Sequence, residues 1–524
     1  MQVRIAGLIL WTGLIAAPTL AQEQEPPAAS ESSAKGESKK PILAEEKVAT
    51  TRHRARIGGL DVPYTATAGQ LVLRRPDGGA RANMFFVAYT LDDASDKATR
   101  PLTFAYNGGP GSATVWLHMG LLGPKRVQMA NDGFQPAPPY RLVLNEHSIL
   151  DVTDVVAIDA ISTGFSRAVD GEDPKQFHGV EQDIEAFSEF IRLYVTRFDR
   201  WSSPKYLFGE SYGTVRSAGI AAELQSSHGI ELNGIVLVSS VIDFSTLRDA
   251  PGNDLHYVTF LPTYTATAWY HRKLPVDLMG SLESTLDQAR ELAFGDYLLA
   301  LTKGNRLTAD ERSAMAERVA HFTGLSPEYV ASANLRVNPA RFRKELLRDQ
   351  RLMVGRLDGR FTGIDADAAG ERQEFDPSNT ALQGAYTALF NHYVRSELEW
   401  ESDLQYYTSG DVRPWDYNTQ YRAQYLNLLD SLRAAMARNP FLQVLVANGY
   451  YDSATPFAAT EWTFDHLGFE PSFRERVQMT YYEAGHMMYI HPEMLAGLKK
   501  DVAAFYERTR ASATGPRPAS TQPQ

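Results

Sequence analysis

The chain has 524 residues, enough for one large α/β domain with an inserted subdomain, and its apolar and charged shares, 44% and 22%, are those of a globular protein. A net charge of −11 argues against general nucleic-acid binding. The lack of cysteine excludes disulfides, a thiolate nucleophile and zinc sites built on Cys.

Residues 1–21 have the pattern of a secretory signal peptide, with Arg4 in the basic region, an apolar stretch over 5–17 and a small-residue cleavage site at 19–21. A membrane anchor is the alternative, but about 13 apolar residues are too few to span a bilayer. No later stretch is long and apolar enough to do so. We therefore expect an exported bacterial protein, either periplasmic or secreted.

Two segments lack the apolar density that would offset the entropy cost of ordering. The composition of residues 22–48 predicts a flexible linker, and that of residues 511–524 predicts a disordered tail. The folded part begins with two segments rich in β-branched and aromatic residues, 55–75 and 80–92. Gly, Pro and Asp-Gly interrupt these segments, which indicates hairpins.

Short apolar runs that each end at a turn follow these hairpins and alternate with helical patterns. Runs of this kind are typical of strands buried on both faces of a mainly parallel sheet. They begin at Pro101, Asp154, Pro204, Gly234, Phe441 and Val477. The predicted fold is therefore α/β, with a mostly parallel central sheet flanked by helices and formed by residues 49–245 and 405–510.

The stretch 246–404 contains few strand patterns, and we predict that it forms a mainly helical cap inserted into the sheet domain. Capping residues and N-terminal prolines mark the starts of several helices. These starts are Thr308 with Glu311 three residues on, Ser326-Pro327 and Asn338-Pro339. The aromatic residues Tyr257, Phe260, Tyr264 and Trp269 are candidates for the lining of a pocket, although core packing is the commoner role for such residues.

Residues 209–213 read Gly-Glu-Ser-Tyr-Gly, a G-x-S-x-G pattern between a strand-like run and a helical one. The glycines suit a sharp strand-to-helix turn, where a Cβ would crowd the neighbouring backbone. In such a turn Ser211 is the nucleophile, and the amide N–H of Tyr212 faces the developing oxyanion. A glycine-rich loop with an incidental serine is the alternative.

A serine nucleophile needs a base, and the base needs an acid that orients it. In α/β-hydrolases these residues follow in the order Ser, Asp or Glu, His. Asp452 and His486 each come directly after one of the last two strand-like runs, where the acid and the base belong. The alternatives are that Asp452 is only a turn residue and that His486 is only a histidine of a surface loop. His491 lies nearby, but no metal-binding pattern surrounds it, so we predict neither a metal nor a cofactor.

The segment 103–115 carries a second glycine cluster after an early strand. In this place a peptide N–H from Gly108-Gly109 can approach the substrate as the second oxyanion donor. A simple Gly-Pro turn is the alternative, and no Gly-Lys-Ser/Thr follows that would indicate a phosphate loop.

A series of motifs resembles the serine carboxypeptidase family, the carboxypeptidase C or cathepsin A-like group of α/β-hydrolases, of which this chain looks like a divergent bacterial member. The motifs are N-G-G-P-G at 107–111, G-F-S at 164–166, G-E-S-Y at 209–212, an Asp after a late strand, and G-H-M at 485–487. The resemblance spans roughly residues 100–500 and implies removal of C-terminal residues from peptides, in a secreted or lysosomal setting.

The resemblance assigns roles to individual residues. Ser211, Asp452 and His486 match the catalytic triad, and the Gly109 and Tyr212 amides match the oxyanion hole. The site for the substrate's terminal carboxylate corresponds to Asn107, Gly108 and Glu210. An acidic Glu210 can share a hydrogen bond with that carboxylate only if one of the two is protonated, so the site should favour low pH. A structural acid bonded to backbone N–H groups is the alternative role of Glu210.

The sequence departs from the family pattern at several positions: Ala105 replaces a common Trp, Leu121 a usual Glu, Ser112 a usual Cys, and Met488-Tyr489 a preferred Val-Pro. The first two concern the details of carboxylate recognition. An esterase or acyltransferase on the same fold is the nearest competing function, and a non-enzymatic binding protein on a hydrolase scaffold is a further one.

Overall fold

A computed structural model describes residues 43–44, 46–92, 94, 96–417, 425–468 and 470–514. The predicted signal peptide, 1–21, lies outside the described residues, as do most of the predicted linker and the part of the tail beyond residue 514. Within the described residues, no helix combines the length and the apolar character needed to cross a membrane.

Fourteen strands are present among the described residues. They are β1 Val48–Ile57, β2 Leu60–Arg74, β3 Ala80–Leu91, β4 Leu102–Tyr106, β5 Lys125–Val127, β6 Leu142–Leu144, β7 Asp154–Ile158, β8 Arg167–Ala168, β9 Lys205–Glu210, β10 Gly234–Val238, β11 Met353–Val354, β12 Thr362–Gly363, β13 Gln443–Gly449 and β14 Val477–Tyr482.

The central sheet has the strand order β1-β2-β3-β7-β4-β9-β10-β13-β14, and β8 pairs with β3. The strands from β7 to β14 along this order are parallel, whereas β1, β2 and β3 pair antiparallel as the predicted hairpins. All residues of β4, β7, β9 and β10 are buried, which explains their continuous apolar character. Two-stranded sheets β5-β6 and β11-β12 lie outside the central sheet.

Fourteen α-helices are present in the same part of the chain. They are α1 Val115–Leu117, α2 Val180–Arg197, α3 Tyr212–His228, α4 Leu255–Tyr270, α5 Leu282–Leu292, α6 Leu298–Lys303, α7 Ala309–Thr323, α8 Pro327–Ser332, α9 Pro339–Glu345, α10 Pro377–Ser396, α11 Leu429–Arg438, α12 Phe457–Asp465, α13 Pro471–Glu475 and α14 Pro492–Thr514.

Apolar clusters on the two faces of the sheet show that helices flank it. One cluster joins α2 and α3 to β3, β4, β9 and β10, and the other joins α10 and α14 to the opposite side chains of the same strands. Alternate residues of a strand therefore belong to different clusters, as Tyr206 and Leu207 of β9 do. This architecture confirms the predicted α/β-hydrolase fold.

Helices α4 to α10 lie between β10 and β13, which are neighbours in the sheet, and they form the predicted helical insertion. Helices α4 to α9 have an apolar core of their own, which includes Val258, Val319 and Phe342. Helix α10 differs, because Tyr386 and Phe390 pack in a cluster with the central sheet.

Three helix starts predicted from capping residues are confirmed. The side chains of Thr308, Ser326 and Asn338 each accept a hydrogen bond from a backbone N–H at the start of α7, α8 and α9. At the other end of the chain, α14 continues through Thr514, so residues 511–514 of the predicted disordered tail are helical. The Ala-rich sequence there has a high helix propensity, which composition alone did not reveal.

Candidate active site

Ser211 stands in the turn that joins β9 to α3, with backbone angles φ 59° and ψ −130°. Few non-glycine residues adopt a positive φ, so the surrounding backbone must hold this conformation. A Cβ on Gly209 would come within 2.4 Å of the Gly213 carbonyl oxygen, and a Cβ on Gly213 within 2.9 Å of that of Tyr106. Both glycines are therefore required by close packing, and the turn has the form of a nucleophile elbow.

Asp452 and His486, which follow β13 and β14, are in direct contact. His486 Nδ1 donates a hydrogen bond of 2.7 Å to Asp452 Oδ2, and both side chains are buried. Asp452 also accepts hydrogen bonds from the amides of Ala454 and Thr455 and from the Thr455 hydroxyl, at 2.6 to 3.0 Å. This carboxylate is thus held in one position and can orient the imidazole.

The last residue of β10 and the residue after it link Ser211 to His486. The Ser211 amide donates to the Val238 carbonyl oxygen at 3.0 Å, and the next residue, Ser239, donates through its hydroxyl to the His486 carbonyl oxygen at 2.6 Å. Among the described residues, the Ser211 hydroxyl makes no hydrogen bond to His486. Catalytic hydrogen bonds are often long without substrate and shorten when it binds.

The loop after β4 packs directly against the elbow. A Cβ on Gly108 would lie 2.3 Å from the Tyr212 amide nitrogen, so only glycine permits this approach. Gly109, with φ 105°, follows at the start of a tight turn closed by a bond from the Ser112 amide to the Gly108 carbonyl oxygen. The amides of Gly109 and Tyr212 donate no hydrogen bond among the described residues, which leaves both available to a ligand oxygen.

Glu210 is buried beside Ser211, and each carboxyl oxygen has one side-chain donor. Asn107 Nδ2 donates to Oε1 at 2.8 Å, and the Tyr489 hydroxyl donates to Oε2 at 2.7 Å. Burial raises the pKa of Glu210 to about 7, against the opposing effects of His486 and of these two hydrogen bonds. Its partners are side chains and not backbone N–H groups, so they do not support the predicted alternative of a backbone-bonded structural acid.

The pKa of His486 is shifted by opposing causes. Burial is the largest and lowers the pKa, but the charge and hydrogen bond of Asp452, together with the charge of Glu210, outweigh it. The net result is a pKa above the ordinary value, as expected for an imidazole paired with a carboxylate. A more basic imidazole accepts the proton of a serine hydroxyl more readily.

Asn107 is held by its own neighbours. The Leu117 amide donates to its side-chain oxygen at 3.0 Å, which fixes the amide group towards Glu210. Arg216, fully buried on α3, donates to the Asn107 carbonyl oxygen at 2.6 Å and forms an ion pair with Asp183. A contact of this kind between α3 and the loop after β4, here called the glycine loop, fixes that loop relative to Ser211.

A strap of the insertion, residues 356–359, binds the loops that carry Asp452 and His486, and the sequence did not predict it. The Ser453 amide donates to the Arg356 carbonyl oxygen at 3.1 Å, and the His486 amide donates to that of Leu357 at 2.6 Å. The Gly485 amide donates to Asp358 Oδ2 at 3.0 Å. An Asp-Gly pair at 358–359 was the sole local sign of a turn, and it carried no information about these partners.

A cleft of about 720 Å³ opens beside the loop after β4, with Gly109 and the Asp452 loop residues Ser453 and Ala454 in its wall. Of the four aromatic pocket candidates, Phe260 alone lines this cleft. The other three pack within or against the apolar clusters of the insertion, as Tyr264 does by stacking on Phe342. Among the described residues, no group of three or more His, Asp or Glu side chains is arranged to hold a metal ion.

Comparison with known proteins adds sequence evidence to this geometry. The profile of the serine carboxypeptidase family matches residues 73–505, which is most of the chain. The lysosomal protective protein of Mus musculus is 24% identical over 461 residues, covering 83% of this chain and 85% of the relative. The pheromone-processing carboxypeptidase KEX1 of Saccharomyces cerevisiae (strain JAY291) is 31% identical over 156 residues, or 28% of this chain and 20% of the relative.

A solved structure supports the fold independently. The prohormone-processing carboxypeptidase KEX1(delta)p from Saccharomyces cerevisiae has a TM-score of 0.52 and 17% sequence identity, and the match covers 85% of this chain and 92% of that one. At this identity the likeness shows the fold, whereas the family profile shows the family. This chain therefore belongs to the serine carboxypeptidase family and is a hydrolase of that family.

Proposed function

We propose that this protein is an exported serine-type carboxypeptidase that removes C-terminal residues from peptides through an acyl-enzyme on Ser211. One observation carries the proposal: a buried carboxyl group, Glu210, immediately precedes the nucleophile and lies near the Asp452–His486 pair. A carboxyl group in this place can distinguish a free peptide C-terminus from an internal peptide bond.

In the proposed first step, His486 removes the Ser211 proton as the hydroxyl oxygen attacks the last peptide carbonyl. Asp452 keeps the imidazole in the required tautomer and stabilises its cation. The amides of Gly109 and Tyr212 donate hydrogen bonds to the tetrahedral oxyanion, and His486 then gives its proton to the leaving amine. Water attacks the acyl-enzyme by the same route and restores Ser211.

Recognition of the terminal carboxylate depends on the protonation of Glu210. Because burial raises the pKa of Glu210 to about 7, the group is largely protonated in mildly acidic solution. A protonated Glu210 can donate a hydrogen bond to the substrate carboxylate, whereas an ionised one repels it. Asn107 and the backbone at Gly108 complete the proposed carboxylate site.

The departures from the family pattern affect this site in different ways. Leu121, which stands where a glutamate is usual, is fully buried in an apolar cluster, and Ala105 is fully buried in β4. Tyr489, part of the departure after G-H-M, donates directly to Glu210. We infer that this chain recognises the carboxylate with Glu210, Asn107 and Tyr489, without a second ionisable carboxyl group.

Export is supported by the sequence and by a relative, and not by the geometry of the site. The signal-peptide pattern of residues 1–21 supports it, and the name of the mouse relative places that protein in the lysosome. A periplasmic location and a bacterial source remain predictions. Fractionation of cells that express the full chain, with N-terminal sequencing of the mature protein, tests export and the periplasmic location.

Release of the last residue from N-blocked dipeptides tests the proposed activity. A panel that varies the last residue is supplied in three forms: the free acid, the C-terminal amide and the C-terminal ester. We expect release from the free acids by the wild type and by Ser226→Ala, an exposed serine on α3, but none by Ser211→Ala. Cleavage of esters without cleavage of free acids would indicate an esterase or acyltransferase. Failure to cleave any form would favour a binding protein.

A further inference from the structure

The cleft beside the loop after β4 has a net positive wall, although the chain as a whole is acidic. Four arginines line it: Arg248, Arg343, Arg356 and Arg372. They come from separate parts of the insertion: Arg248 follows β10, Arg343 lies on α9, Arg356 lies in the strap and Arg372 precedes α10. Their convergence on one cleft is therefore a property of the folded chain.

None of these four arginines forms an ion pair among the described residues. Arg248, Arg356 and Arg372 are exposed, and Arg248 stacks on the rings of Phe244 and Tyr417. Half-buried Arg343 donates to the neutral amide oxygen of Gln373. Four guanidinium groups without carboxylate partners leave a positive potential in the cleft.

The acidic residues of the cleft are fewer than its arginines. Two aspartates, Asp249 and Asp376, line it against four arginines, so two positive charges remain in excess. Asp376 also accepts hydrogen bonds from the backbone amides of Arg356 and Leu357. Burial first, and then the neighbouring charge of Arg356, lower the pKa of Arg343 to about 10. The contribution of Arg356 shows that the two guanidinium groups lie close enough to repel each other, while the charge of Asp376 acts in the opposite direction.

The position of the cleft indicates which part of a peptide it receives. Gly109, whose amide is proposed to face the scissile carbonyl oxygen, lies in its wall, whereas Asn107 and Glu210 are not among the lining residues. The released residue occupies the Glu210 side of the scissile bond. The cleft therefore accommodates the residues that precede that bond, and Arg356 lies close enough to His486 to affect its titration.

We infer that the arginine cleft selects peptides with acidic side chains in the positions that precede the released residue. This inference rests on the proposed function, because it assigns the substrate class of the same site. Glutamate or aspartate at these positions meets a guanidinium group, which favours planar carboxylate partners and binds them through paired hydrogen bonds.

Paired N-blocked peptides that differ only in Glu or Gln before the released residue test the inference. The readout is the ratio of kcat/KM for the Glu peptide to that for the Gln peptide. We expect a ratio of about 3 to 10 in the wild type, from one or two solvent-accessible ion pairs, and a fall towards 1 at high salt. The double variant Arg356→Gln/Arg372→Gln is expected to lower the ratio at least about twofold. Arg306→Gln, an exposed arginine of the insertion outside the cleft, is expected to leave it unchanged.

Binding of the same peptides to Ser211→Ala, measured by calorimetry, examines the cleft without turnover. Tighter binding of the Glu peptide, lost in the double variant, supports the inference. Equal binding and equal kcat/KM for the Glu peptide and the Gln peptide would overturn the inference. A preference for an acidic side chain at the released residue alone would also overturn it. The proposed function would survive those results if the Gln peptide is still cleaved, whereas it would fail if no free-acid peptide is cleaved.

Discussion

Replacing Glu210 with glutamine removes the ionisation that we propose to limit activity at neutral and alkaline pH. The glutamine oxygen still accepts from Asn107, and its amide group can donate to the Tyr489 hydroxyl, so the local contacts remain. The variant is neutral at every pH. In the wild type, the carboxyl group is neutral only below its raised pKa.

The size of the effect follows from that pKa. With a value of about 7, roughly nine-tenths of Glu210 is protonated at pH 6 and roughly one-tenth at pH 8. If only the protonated form accepts a peptide carboxylate, kcat/KM of the wild type falls about tenfold between these two pH values from this group alone. Glu210→Gln should lack this loss.

The assay is the pH dependence of kcat/KM for an N-blocked dipeptide, because this parameter reports ionisations of the free enzyme. Glu475→Gln, an exposed glutamate in α13, is the matched control and should retain the wild-type profile. If Glu210→Gln loses activity between pH 6 and 8 as steeply as the wild type, another group is responsible. The proposed role of Glu210 would then be wrong.

Three further substitutions test other contacts of the site. Asp452→Asn should lower kcat by about 10³ to 10⁴, since the imidazole loses the acid that sets its tautomer, while circular dichroism stays unchanged. Tyr489→Phe removes a hydrogen bond that lowers the pKa of Glu210, so the alkaline loss of kcat/KM should move to higher pH. Asp183→Asn leaves the buried Arg216 without its partner, and the free energy of unfolding in denaturant should fall by about 3 to 5 kcal/mol.

A different outcome would contradict each of these three predictions. Near wild-type kcat in Asp452→Asn would remove the acid from the mechanism. An unchanged pH profile in Tyr489→Phe would show that its hydroxyl does not affect Glu210. A loss of stability below about 0.5 kcal/mol in Asp183→Asn, as is usual for exposed sites, would mean that the ion pair does not anchor the glycine loop.

Features encoded in short stretches of the chain could be predicted from the sequence. The buried parallel strands appear as continuous apolar runs, and the helix starts at Thr308, Ser326 and Asn338 carry their own capping residues. The strand-to-helix turn around Ser211 requires two glycines at fixed positions, so it is visible as a motif. Asp452 and His486 could be chosen because each follows a strand whose end lies at the same edge of the sheet.

Features that depend on contacts between distant segments could not be predicted. The strap at 356–359 binds the Asp452 and His486 loops mainly through backbone atoms, which leave little trace in the side-chain pattern. The arginines of the cleft come from four segments, and only the folded insertion brings them together. Tyr489 departs from the family pattern, but its position in the sequence does not predict its hydrogen bond to Glu210.

Covalent labelling with a serine-reactive phosphonofluoridate, mapped by mass spectrometry, most directly tests the claim that Ser211, His486 and Asp452 act together. We expect a single adduct on Ser211 in the wild type and a labelling rate at least about 10³-fold lower in His486→Ala. An adduct on another residue, or equal labelling rates in the two proteins, would contradict the proposed triad.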